Sequence, residues 1–95
     1  MQDNSQITAR FFTALEILIA NKQIRGKQTF CRRYDINRRN LYQLERDPSR
    51  KIFQPAWLSH LVIDFGFSAD WLLTGNEPKF SSKNANEMQM KNGSL

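Results

Sequence analysis

The chain has 95 residues, is 40% hydrophobic and 24% charged, and carries a formal net charge of +5. That is the size of one small domain with an ordinary globular composition, which excludes disorder along the whole chain. The longest apolar stretch, Ala14 to Ala20, is broken by Glu16 and falls far short of the roughly 20 residues a bilayer span needs, so no membrane anchor is expected.

Met1 to Arg10 includes Asp3 and has no basic stretch followed by an apolar run, so no secretory signal is read and a cytoplasmic location is expected. Cys31 is alone and His60 is the single histidine, which leaves neither a disulfide nor the ligand pairs of a structural zinc. With no spaced carboxylate pair and no glycine-rich phosphate loop, the residues offer no catalytic constellation, no cofactor site and no metal site. The charge is unevenly placed. Between Lys22 and Lys51 ten basic residues meet three acids, Asp35, Glu45 and Asp47, a balance of +7, while the rest of the chain sums to −2. Such a concentration of cations is the electrostatic footprint of a phosphate-backbone binder.

Helix signals run through the chain, and no turn flanked by alternating apolar residues suggests a hairpin. The first helix starts near Ser5, with Asn4 or Ser5 as N-cap, and places Phe11, Ala14, Leu15, Leu18 and Ile19 on one face. Polar residues from Asn21 to Gly26 end it. A short second helix, Lys27 to Tyr34, turns Phe30 and Cys31 inward and Arg32 and Arg33 outward. Asp35, Ile36 and Asn37 form a three-residue turn, because Asp tolerates left-handed backbone and Asn is a strong N-cap.

The third helix, Arg38 to Arg46, has a thin apolar seam of Leu41 and Leu44 and presents Arg39, Tyr42, Gln43 and Arg46 outward. Pro48 stops it. A basic loop leads to a fourth helix beginning near Pro55, with Leu58, Leu61, Val62 and Phe65 at helical spacing and Gly66 as its stop. Ser68 caps a short fifth helix, Ala69 to Thr74, in which Trp71, Leu72 and Leu73 are apolar filling before Gly75. His60 is expected exposed on the fourth helix. The reading divides the chain into an N-terminal arm, 1–5, a folded domain, 6–80, and a polar tail, 81–95, with too little apolar surface to offset its ordering entropy.

Two short helices joined by a three-residue turn, the second anchored by a thin seam and polar on its free face, describe a helix-turn-helix. The segment Lys27-Gln-Thr-Phe-Cys-Arg-Arg-Tyr-Asp-Ile-Asn-Arg-Arg-Asn-Leu-Tyr-Gln-Leu-Glu-Arg-Asp47 and the later Phe65-Gly-Phe-Ser-Ala-Asp-Trp-Leu-Leu-Thr-Gly75 resemble the lambda-repressor-like helix-turn-helix family. That family includes phage repressors, Cro proteins and bacterial regulators of the xenobiotic-response-element type. The likeness covers about Ala9 to Phe80 and implies an all-α, compact five-helix DNA-binding domain with the third helix in the major groove. It further implies base contacts from Arg38, Arg39, Asn40, Tyr42 and Gln43, and backbone contacts from Lys27, Arg46, Arg50 and Lys51. Tyr42 has an equal alternative in packing against the adjacent loop.

The chain departs from the family pattern where Asp35 replaces the turn glycine, and where the first-helix position that often supplies an arginine to the terminal Glu falls at about Ala20. Glu45 is left to pair with another base or to face solvent. The expected role is sequence-specific binding of double-stranded DNA as a transcriptional regulator, as a homodimer on a pseudo-palindromic operator. The dimer is expected around helices four and five, through Trp57, Phe67 and Trp71. The alternative is an antitoxin-like or adaptor module whose basic helical face binds an acidic partner protein.

Overall fold

The computed structural model describes residues 4–81. Its elements are α1 (Asn4–Ala20), α2 (Lys27–Tyr34), α3 (Arg38–Arg46), α4 (Pro55–Phe65) and α5 (Ala69–Thr74). Among the described residues the fold is all-helical with the five expected helices, and the only ladder pairing is an isolated antiparallel bridge between Phe67 and Phe80. Within the stretch 6–80 the chain divides into two compact units, one ending at Gln54 and the other beginning at Pro55.

In the first unit, α1 buries Phe11, Ala14, Leu15 and Leu18, while Ile19 is half-buried. Thr8 and Phe12, outside the expected stripe, are buried as well, so the apolar face is wider than the three-and-four spacing suggested. The helix is closed by Lys22 in the left-handed region (φ 63°) rather than by Gly26: Gln23 N–H donates to Leu18 O at 2.9 Å, which satisfies a terminal carbonyl. Ile24, placed in the connection by sequence, is buried.

α2 buries Phe30 and Cys31 and exposes Arg32 and Arg33. It ends at Asp35, which takes the left-handed conformation (φ 55°) that the turn requires and that Asp adopts more readily than most residues. Asn37 then caps α3: its Oδ1 accepts from the Asn40 N–H at 3.0 Å, an arrangement worth about 1 kcal/mol. α3 packs on both α1 and α2. Its seam, Leu41 and Leu44, is fully buried.

In the second unit, α4 buries Trp57 and Leu61 and half-buries Leu58, Val62 and Phe65. Gly66, at φ 78°, makes the left-handed stop that a side chain would resist. Ser68 Oγ caps α5 by accepting from the Trp71 N–H at 3.1 Å. Leu73, expected as core filling, is instead exposed, because the one-sided packing of a six-residue helix covers Trp71 and Leu72 and leaves the next position outside. His60 is half-buried rather than exposed.

Ser81, the expected first tail residue, donates its N–H to Gly66 O at 2.9 Å, and Ser68 N–H donates to Lys79 O at 2.7 Å, so Lys79 and Ser81 are fastened to the segment that leads into α5. Residues 82–95 of the expected tail and 1–3 of the expected arm lie outside the described residues; Asn4 and Ser5 belong to α1. Among the described residues no helix is long and apolar enough to cross a membrane.

Candidate nucleic-acid interface

The nine residues of α3 divide by period: Leu41 and Leu44 face the core, while Arg38, Arg39, Tyr42 and Arg46 are exposed and Asn40, Gln43 and Glu45 half-buried. Asn37, Arg38, Arg39, Tyr42, Glu45 and Arg46 border an open depression along this face. From Arg39 to Arg46 the helix rises about 10 Å, roughly the stacking distance of three base pairs. No hydrogen bond or ion pair among the described residues takes up the Arg39 or Arg46 guanidinium, so both keep their donors for a ligand. Tyr42 is 37% exposed and borders the same depression.

A second recess, bordered by Gln28, Cys31, Arg32, Asp35, Ile36 and Arg38, continues the cationic surface onto α2. Arg32, expected to face outward, was assigned no contact, and Gln28 was not singled out. Their signal was available in the spacing, since Gln28 and Arg32 lie four apart on the exposed side of α2. After α3, the Asp47 carboxylate accepts from Ser49 Oγ at 2.6 Å and from Ser49 N–H at 3.3 Å, and Arg50 N–H donates to Asp47 O at 3.1 Å. The Ser49 hydroxyl, with its backbone N–H, holds the Asp47 carboxyl below its ordinary pKa. This small turn supports the loop that carries the exposed Arg50 and Lys51.

Lys27 is placed differently from the other basic candidates. Its ammonium lies 2.7 Å from a Glu45 carboxylate oxygen and 3.0 Å from one of Glu16, and only 18% of the side chain is exposed. Glu45 therefore finds its basic partner at the head of α2, and Glu16, which no spacing rule links to either residue, joins from α1. The Glu45 hydrogen bond, opposed by burial and aided by Glu16, raises the Lys27 pKa above its ordinary value. The stabilising contribution of a group shifted upward is complete below its unfolded pKa, about 10.4, and is lost as pH rises through the folded value, so the part that the Lys27 shift contributes is lost in alkali.

Cys31 is 4% exposed, and burial pushes its thiol pKa up, against a weaker pull from the Arg38 charge. A thiol held protonated and covered is a poor nucleophile. It is expected to react with a thiol reagent at neutral pH far more slowly in the folded protein than in denaturant; equal rates would contradict its burial.

The chain matches no family model, no curated protein and no solved structure.

Proposed function

We propose that the chain binds double-stranded DNA sequence-specifically as a cytoplasmic transcriptional regulator of lambda-repressor-like type, with α2 and α3 as a helix-turn-helix and α3 in the major groove. The observation that carries this reading is the face of α3. Its back is anchored by two fully buried leucines, and its front offers three exposed arginines and a tyrosine. A major groove roughly 12 Å wide admits one helix presented in this way.

Arg38, Arg39, Asn40, Tyr42 and Gln43 form the base-reading set. Arginine donates bidentately to guanine and Gln or Asn to adenine, so Arg39 and Gln43, one turn apart, read neighbouring base pairs. Arg46, Arg50 and Lys51 contact phosphate, where point charge suffices. No cofactor or metal enters this reading. Selection from random duplex DNA, followed by binding at several salt concentrations, tests it. A recovered consensus bound with a negative logarithmic salt slope is expected, whereas no enrichment would transfer the basic face to an acidic protein partner.

Two copies on a pseudo-palindromic site complete the proposal. Trp57, Phe67 and Trp71, the aromatics first assigned to the dimer, are all buried and supply no surface for it. Among the described residues of the second unit the large exposed apolar side chains are Ile63, Leu73 and Phe80, with Ile63 and Leu73 on a groove that Leu58 and Val62 also line. Sedimentation on the selected duplex is expected to give two protomers per site, and one per site for Leu73→Glu. A single protomer with the unaltered chain would contradict the dimer.

A further inference from the structure

We propose that Lys27 is a positioning residue: its ammonium clamps Glu45, near the end of the reading helix α3, to Glu16 on α1, and it makes no phosphate contact. This rests on the DNA-binding reading and reassigns one of its basic residues. A phosphate-binding lysine needs its charge at the surface and uncommitted. The Lys27 side chain is only 18% exposed, and its ammonium lies within 3.0 Å of two carboxylates on two other helices. The other cations around the interface are unlike it: Arg39, Arg46, Arg50 and Lys51 are all exposed and form no salt bridge among the described residues.

The clamp has a geometric consequence. The start of α3 is fixed by the Asn37 cap and its middle by Leu41 and Leu44, but Glu45 and Arg46 lie beyond the last buried leucine. The Lys27 ammonium is the polar fastening of that final turn to α1 and α2. It also separates two carboxylates that would otherwise repel each other. Through Glu45 it sets the angle at which Tyr42, Gln43 and Arg46 meet the groove, since a reading side chain displaced by a fraction of an ångström loses its hydrogen-bond geometry.

The test compares the unaltered chain with Lys27→Met, Lys27→Arg, Lys27→Glu, Glu45→Lys and the charge-swapped double variant Lys27→Glu with Glu45→Lys, so that the two single changes and the swap close a double-mutant cycle. Each is measured by thermal unfolding and by binding to selected and scrambled duplex over a range of salt. Lys27→Met is expected to lose about fivefold on the selected site, the factor matching the upper end for a partly exposed ion pair. Its salt slope should be unchanged, and Lys27→Arg should retain most of the affinity. The swapped variant should recover selected-site binding relative to either of its single changes, although position 27 is then acidic.

A salt slope smaller in magnitude by about 1 in Lys27→Met would make Lys27 a phosphate contact and overturn the proposal. Failure of the swap to restore binding even when Glu16→Gln removes the carboxylate that faces position 27 would overturn it as well. If the unaltered chain selects no duplex at all, the DNA-binding reading falls by itself. The unfolding data then decide the clamp: coupled losses at positions 27 and 45 uphold it, and additive losses refute it.

Discussion

Phe11→Ala is expected to destabilise the first unit by about 3–5 kcal/mol, the range for truncating a buried aromatic ring. Phe11 is fully buried, and its ring meets those of Phe12, Phe30 and Phe53 edge to face at centroid separations of 5.1, 5.7 and 5.4 Å. Those rings come from α1, α2 and the loop after α3, so one truncation opens a cavity where three segments of the unit meet. Each edge-to-face pair adds about 0.5–1.5 kcal/mol beyond the area it buries, and the stability of a domain this small is of the same order as the total loss. Thermal unfolding followed by circular dichroism should show a fall in Tm of roughly 12 °C or more. Ile63→Ala is the control: its side chain is 78% exposed, and a change within about 0.5 kcal/mol is expected. A Phe11→Ala loss no larger than that control would contradict the aromatic core.

The largest expected effect on binding comes from replacing Arg46, Arg50 and Lys51 together by Gln. All three are exposed, and the Asp47–Ser49 turn holds the loop that bears the last two. Each phosphate contact contributes about 0.9 to the logarithmic salt slope, so the triple variant should show a slope smaller in magnitude by about 3 and affinity lower by about a hundredfold near 0.15 M salt. The loss should be equal on selected and scrambled duplex, because phosphate contacts carry no sequence information. An unchanged slope would place these cations off the DNA.

The limits of α2, α3 and α5 were legible in the sequence because they are set by local chemistry: Asn37 and Ser68 as caps, Asp35 and Gly75 in left-handed stops, Pro48 after α3. The exposed stripe of α3 was legible for the same reason, since period alone sends Arg39, Tyr42 and Arg46 away from Leu41 and Leu44. What escaped was non-local. The Lys27 ammonium meets Glu16 and Glu45 only after three helices have packed, and no spacing rule connects positions 16, 27 and 45. The burial of Trp57, Phe67 and Trp71 and the exposure of Leu73 likewise depend on which side of a short helix is covered, which composition does not reveal. Thr8, Phe12 and Ile24 were missed because α1 is covered over more than one stripe and its closing turn is made by Lys22.

If α3 reads bases while the cations after it hold phosphate, Arg39→Ala and Lys51→Ala should behave differently on two duplexes. Both proteins are titrated with the selected duplex and with scrambled duplex at several salt concentrations. Arg39→Ala should lose about 1–3 kcal/mol on the selected site and little on scrambled DNA, because its bidentate donors are matched to one base pair. Lys51→Ala should weaken both duplexes alike and reduce the magnitude of the salt slope by about 1. Equal losses on both duplexes for Arg39→Ala would mean that α3 is not the reading element, and would contradict the account.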